Sequence, residues 1–385
     1  MEDEDLQLDS VDILGGGPAG LYAALLLKAD MPDARVMVHE QNPKDATFGF
    51  GVVFSDQALG FLQADDPETH DLITPHMERW RNISLVHKGE AVTLDGIGFS
   101  AIGRLHLLQL LQKRASDVGV KLVFDQSILS LDELDGDLIV GADGFNSLMR
   151  NSDPQAFGQT LGAFSNHFAW FGTKKRFETL TQSFVNSDQG VMNAHHYRYE
   201  PDMSTFIVEC DQASFDRHDF GNMDEVQTAR MCEEIFADAL QGEKLISNHS
   251  MWRQFPKLWC ENWVAGNRVL LGDSVHTAHY SIGSGTRLAL ESSIALAKAF
   301  REHDDLKAAL TSFEEVRKPI AKKIVDAANT SALWYDDFSS KMELAPLDFA
   351  FDYVMRSGRV DVEGLRKHSP KFMADYDAHR AGVIS

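Results

Sequence analysis

Cysteine is scarce. The 385 residues hold three, Cys210, Cys232 and Cys260, far apart and without a CxxC pair. That excludes a disulfide framework and a cysteine zinc site, and leaves three small hydrophobes suited to a reducing interior. Positive charge is also short. Lys plus Arg number 36 against 58 Asp plus Glu, a formal charge of −22. A field of that sign repels phosphate backbones and anionic bilayers, so neither nucleic acid nor a membrane surface is expected as partner. No apolar stretch approaches the ~18 residues of a membrane span. The acidic opening MEDEDLQLD lacks the basic and apolar regions of a secretory signal. A soluble cytoplasmic protein is expected. No HExxH or equivalent occurs; His195-His196 and the pair His276 and His279 have no converging carboxylates in the sequence, so no metal is expected. Hydrophobic residues make up 44% and charged residues 24%, ample for a sizeable globular core.

The chain begins with a strand–turn–helix–strand unit. Val11 to Leu14 is a short apolar run that stops at three glycines, Leu21 to Ala29 is rich in Ala and Leu, and RVMVHE at 35–40 reads as a second strand. Ala101 to Ser116 reads as a helix, and 121–124 and 137–140 as strands. Residues 161–260 differ in texture. HFAWFGT, TQSFVN, HHYRYE and STFIVEC are aromatic and β-branched runs, which predict an antiparallel sheet interrupted by a helix near 224–240. A short strand at 269–271 then precedes a long alanine-rich helix at 283–301, and more helix follows. The expected fold is α/β: a Rossmann-like dinucleotide-binding domain of 1–70, 97–160 and 265–335, interleaved with an antiparallel-sheet substrate domain of 71–96 and 161–264, and closed by a C-terminal helical segment, 336–385.

Four segments carry chemistry. Gly15-Gly-Gly17-Pro18-Ala19-Gly20 follows the first strand and opens the first helix. Gly15 permits the tight turn, Gly17 lets the backbone approach a pyrophosphate, and Gly20 lets helix and strand pack closely. The helix N-terminus offers unpaired N–H groups to the phosphates. Glu40, twenty residues past Gly20 and at the end of the second strand, can accept both ribose hydroxyls of an adenosine. Together these predict a dinucleotide, NAD or FAD. The other three segments are Gly103-Arg104-Leu-His-Leu-Leu, Ala142-Asp143-Gly-Phe-Asn-Ser-Leu-Met-Arg150, and Gly272-Asp273-Ser-Val-His276-Thr-Ala-His279 leading into Gly283-Ser-Gly285.

In this order the four segments resemble the class A flavin-dependent aromatic hydroxylases of the para-hydroxybenzoate hydroxylase superfamily. The resemblance implies non-covalent FAD, NADH or NADPH as cosubstrate, and O2 delivered to an electron-rich ring through a flavin C4a-hydroperoxide. It also implies that Arg104 reaches the FAD phosphates, Asp143 sits beside the pyrophosphate, Asp273 takes a ribityl hydroxyl, and the turn of Gly283 and Gly285 approaches the flavin ring. The chain departs from the broad pattern at Tyr280, where Pro is usual, and at Arg287, where Asn is usual. FGFGVVFS at 48–55, MSTFIVEC at 203–210 and YSIGSGT at 280–286 are similar to the salicylyl-CoA 5-hydroxylase and anthraniloyl-CoA monooxygenase group, and in part to the violacein-pathway hydroxylase. An aryl-CoA substrate such as salicylyl-CoA is therefore expected, with an indole or other natural-product aromatic as the alternative and a non-hydroxylating flavin protein as a third. Because the chain ends at residue 385, a hydroxylase without the reductase-like domain of many CoA-type relatives is expected.

Candidate catalytic residues are His279 and Tyr280, which precede the flavin-facing turn, and His195, since histidine titrates near neutrality. On a strand His195 and Tyr197 share one face and can line one wall. Phe48, Phe50, Trp170 and Phe206 are the further candidates for substrate contact, with Trp252 a possible part of the aromatic wall. Arg79, Arg81, Lys88 and Arg287 are candidates for CoA phosphates.

Overall fold

A computed structural model describes residues 8–382. The acidic first seven residues and the last three lie outside the described residues. The opening unit forms strand Ser10–Leu14, helix Pro18–Asp30 and strand Arg35–His39. The strands read as almost continuous apolar runs because helices cover both faces of a parallel sheet. Six strands make that sheet, in the order 264–265, 268–270, 138–141, 10–14, 35–39 and 121–123. All neighbours are parallel except the edge pair of Val264–Ala265 with Arg268–Leu270. Thus the strand near residue 269 returns to the N-terminal unit across more than half the chain. Helix Pro18–Asp30 starts on Pro18, whose missing N–H costs nothing at that position. It packs between helices Arg104–Asp117 and Gly285–Glu302.

The second sheet is built from the aromatic segments. Its order is 245–246, 159–173, 203–210, 190–200, 180–187, 83–87 and 90–94, with Arg253–Cys260 also paired to Gln159–Thr173. This sheet is not wholly antiparallel as expected: Ile83–His87 joins Leu180–Ser187 in parallel register. Ile83–His87 arrives from a distant part of the chain, so no hairpin dictates its direction. Three short strands, 51–55, 78–80 and 99–103, make a small antiparallel sheet between the two larger ones. This also corrects the helix expected from Ala101. Phe99–Gly103 is a strand paired with Gly51–Ser55, and the helix starts at Arg104. Period-3.6 leucines mark the helix well but do not mark where the preceding apolar run stops being strand.

The two faces of the large sheet have different neighbours. Ala169, Phe171, Phe206 and Val208 face one way and are buried with Phe236 and Leu240 of the 225–240 helices. Burying each such side chain contributes roughly 1.5–3 kcal/mol. The alternate residues, Phe168, Trp170, Ile207, His195 and Tyr197, face the nucleotide-type sheet across a cavity. Helices Pro346–Met355, Val362–His368 and Pro370–Arg380 pack near the 83–94 hairpin and make the C-terminal region helical. Among the described residues no helix is long and apolar enough to cross a membrane.

Candidate active site

The cavity has a volume of about 450 Å³ and two unlike walls. One is backbone. Gly15 has φ +98, and a Cβ there would lie 2.3 Å from the Ala142 carbonyl oxygen; a Cβ on Gly20 would lie 2.0 Å from the Gly15 oxygen. These two glycines close the turn on itself. Gly17 is different. A Cβ there meets nothing within 4 Å, and the same holds at Gly144 and Gly285; all three line the cavity. The backbone is therefore bare on its open side, at the N-terminus of helix Pro18–Asp30, where a phosphate is favoured. Pro18, Ala19 and Gly283 line the same wall.

Glu40 stands beside this turn. One carboxylate oxygen accepts the Gly16 N–H at 2.7 Å, and the other accepts the backbone and side-chain N–H of Asn42 at 2.8 and 2.7 Å. Arg104 and Asp273 both line the cavity. Arg104 donates to Thr47 at 3.1 Å. Burial lowers the Arg104 guanidinium and raises the Asp273 carboxyl, and each charge opposes the other's shift. Two polar groups thus face the cavity with hydrogen-bonding capacity to spare. Asp143 does not line it. Its Oδ2 accepts the Leu148 N–H at 2.6 Å and so holds the N-terminus of helix Leu148–Ser152, while its Oδ1 is buried without a partner. Bare glycine backbone, a helix N-terminus and facing Arg104 and Asp273 fit a dinucleotide with a polyol linker.

The other wall is side chains. Trp170, Ile207 and His195 occupy directly opposed positions on three neighbouring strands, and Tyr197 follows two residues on. Phe168, Phe255 and Tyr280 complete an aromatic surface. Tyr197 donates to the Gly51 carbonyl at 2.8 Å, so its hydroxyl is spent on the scaffold. His195 is buried, and burial first, then the Arg356 charge, push it down to about 3. It is a neutral imidazole at working pH, with a buried, unpartnered Nε2. Phe48 and Met251 line the cavity yet are 57% and 62% exposed, so they stand at its mouth with His249 and Arg253.

The remaining candidates fall elsewhere. Phe206 lies on the opposite face of its strand, stacked on His196 at 5.1 Å between centroids, because period-2 alternation sends it into the helix-covered core. Trp252 belongs to the same core. Phe50 turns away from the cavity and packs on Gly172, where a Cβ would approach its ring to 2.4 Å. His279 is buried behind Tyr280, with ring centroids 4.2 Å apart, and its Nδ1 accepts the Ser281 N–H. Arg287 is paired with Glu291, Lys88 bonds the Glu343 carbonyl, and Arg79 the Thr74 carbonyl; the basic set does not converge on the cavity. Sequence reasoning passed over Arg253, Asn248 and Glu209. Asn248 donates to the carbonyls of Thr47 and Gly49 and fixes the 47–51 loop. Only Glu209, inside MSTFIVEC, carried a signal: an acid in an otherwise apolar run.

The fold and this divided cavity define a flavin-type oxidoreductase, and comparison with known proteins sharpens the class. Residues 109–328 match the family described as FAD binding domain. The chain is 38% identical over 359 residues to salicyloyl-CoA 5-hydroxylase of Streptomyces sp, covering 90% of this chain and 69% of that protein. It is 33% identical over 321 residues to 3-hydroxy-4-methyl-anthranilyl-[aryl-carrier protein] 5-monooxygenase of Streptosporangium sibiricum, covering 83% and 87%. Protodeoxyviolaceinate monooxygenase of Chromobacterium violaceum is 29% identical, covering 89% and 93%. Crystalline 2-methyl-3-hydroxypyridine-5-carboxylic acid oxygenase shares the fold, with a TM-score of 0.69 at 18% identity over 92% of this chain and 97% of that one. The chain belongs to the FAD-dependent aromatic monooxygenases.

Proposed function

We propose that this protein hydroxylates the ring of an aryl thioester, an aryl-CoA of the salicyloyl type. The observation that carries this is one cavity that joins a bare-backbone wall, an aromatic wall and an open mouth. A thioester substrate is a flat ring on a long polar chain. The ring suits the wall of Trp170, Phe168, Ile207 and Phe255, and the chain has an exit between Phe48 and Met251, where Arg253 supplies a cation for phosphate. Two relatives, one named for salicyloyl-CoA and one for an anthranilyl group on an aryl-carrier protein, support the same substrate class.

The glycine turn and the N-terminus of helix Pro18–Asp30 would hold the FAD pyrophosphate, Glu40 the adenosine ribose, and Arg104 and Asp273 the phosphate and polyol. FAD, when bound, supplies electron uptake from NADH or NADPH and the activation of O2. The chain's own task is orientation and dryness. The aromatic wall holds the ring in one plane and excludes water, which strengthens every polar contact inside. His195, neutral and fixed by strand pairing, offers one hydrogen bond to a ring substituent without placing a second charge there. Tyr280 belongs to the same wall, and its hydroxyl already donates to Glu209, so toward a substituent it can only accept.

The test is aerobic NAD(P)H oxidation by FAD-loaded protein with salicyloyl-CoA beside free salicylate, with product masses recorded. Stimulation and gain of one oxygen with the thioester alone is the expected result. Product from an indole substrate and none from either salicylate form would move the reading to the chemistry named for the Chromobacterium relative.

A further inference from the structure

Strand Met203–Cys210 sends Thr205, Ile207 and Glu209 to the cavity face. Glu209 lies two residues beyond Ile207 on the same face, opposite Phe168 on one neighbour and Asn193 on the other. It is 2% exposed, which is rare for a carboxylate without a cation. Its two oxygens are met by two donors. Tyr280 Oη donates to Oε2 at 2.6 Å, and Asn166 Nδ2 donates to Oε1 at 2.9 Å while also bonding the Tyr335 carbonyl. Tyr280 in turn lines the substrate cavity. So the side chain of Tyr280 stands between the cavity and a buried acid that nothing in the aromatic wall requires.

We infer that Glu209 is the proton acceptor behind Tyr280, and that this pair takes the proton of a phenolic hydroxyl of a substrate held on the aromatic wall. The step rests on the ring-hydroxylation reading above. The substrate O–H bond breaks and its electron pair stays on the substrate oxygen. The proton joins Tyr280 Oη as the tyrosine's own proton passes to Glu209 Oε2. No redox change is involved, and the reverse transfer restores the pair when product forms. An electron pair left on the substituent enriches the ring that must be attacked.

The surroundings poise the acid for this. Burial pushes Glu209 up to about 7, the nearby Asp336 carboxylate adds to the rise, and the Tyr280 and Asn166 donors oppose it. A base poised near neutrality is the efficient one. Tyr280 itself is raised well above its ordinary value by burial and by the Glu209 charge, so it relays a proton without resting as tyrosinate. The other titratable group beside the pair is Tyr335, which feels the Glu209 charge; Cys210, its thiol pushed up by burial, points to the opposite face, and Lys257 acts on Asp336 from outside. Phe206 and Val208, on the other face, do not touch this set.

The first experiment needs no substrate. The infrared band of a protonated carboxyl is titrated in FAD-loaded protein and assigned by its loss in Glu209→Gln. A midpoint near 7, rising in Tyr280→Phe as a donor to the charged form is lost, is expected. A midpoint below about 5, in the ordinary carboxylate range, overturns the inference. The second arm is the ultraviolet difference spectrum of bound salicyloyl-CoA against pH. Wild type is expected to show the phenolate form appearing with the same midpoint, and Glu209→Gln to delay it by at least about one pH unit and lower kcat about 10²-fold with KM within a factor of about 3. Glu209→Asp is expected to recover part of kcat. An unshifted phenolate transition in Glu209→Gln overturns the inference even if hydroxylation itself stands. A wild type that binds no aryl thioester but shows the carboxyl midpoint near 7 overturns the substrate and not the pair.

Discussion

The two walls of the cavity are built by opposite means. The nucleotide wall is almost all backbone: its working positions are glycines, and its shape depends on contacts between residues five apart, such as Gly15 and Gly20. The wall proposed for the substrate is all side chain: Trp170, Ile207 and His195 come from three strands and meet only because the sheet register aligns them. The backbone turn tolerates no added atom at Gly15 or Gly20, whereas a side-chain wall tolerates exchange at the cost of specificity. That difference lets a family keep one cofactor and vary the ring it attacks.

The comparison breaks most sharply at Gly20. Gly20→Ala places a Cβ 2.0 Å from the Gly15 oxygen, and strain of this kind costs about 3 kcal/mol. The expected outcome is protein that is insoluble or melts far below wild type, measured by expression and thermal melting; a soluble, yellow Gly20→Ala protein would refute the closed turn.

Acid sharpens the contrast next. His195 and His196 on the sheet, and His276 and His279 in the turn that faces it, are each pushed down to about 3, mainly by burial. Below pH 6.5 the unfolded chain takes up protons that these four refuse in the fold, so stability falls as pH drops from 6.5 toward 3. Glu209, raised to about 7, works the other way: the fold keeps a proton that the unfolded chain releases between 4.5 and 7, so its share is lost as pH rises through that window. Four groups outweigh one. Denaturation at pH 7 and pH 5 is expected to show several kcal/mol lost at the lower value. Equal stability at the two would mean that the histidines are not buried neutral.

A smaller effect is expected at the substrate wall. His195→Ala is expected to lower kcat/KM about tenfold, the worth of one hydrogen bond in a dry site, with FAD affinity unchanged. Steady-state kinetics beside flavin titration would detect it; unaltered turnover would remove His195 from the site. The smallest effect is expected just behind that wall. Phe206→Leu should cost about 1 kcal/mol in stability and leave KM alone, since Phe206 faces the helices. A shifted KM would put Phe206 back against substrate.

The same contrast governs what could be read from sequence. The Gly15–Gly20 turn and Glu40 were legible because glycine geometry is local and its spacing is carried by consecutive residues. The sharing of one face by His195 and Tyr197 was legible from alternation alone. Phe206 was not, because MSTFIVEC is apolar on both faces: one covers the cavity and the other the helical core. Polarity alternation then gives no sign of which side is which. Glu209 escaped for a related reason. Its partner Tyr280 is 71 residues away, and neither residue has a motif that points to the other. The strand at 99–103 was absorbed into the following helix because both are apolar and only pairing with 51–55 separates them.

The division of the cavity is tested most directly by titrating FAD into two variants side by side. Gly17→Val adds a side chain where nothing lies within 4 Å, so the fold should stand while FAD binds about 100-fold more weakly, because the new atoms occupy phosphate space. Trp170→Ala should bind FAD within a factor of about 3 of wild type. Equal loss of FAD in both variants would contradict the division, and full FAD affinity in Gly17→Val would show that the phosphates lie elsewhere.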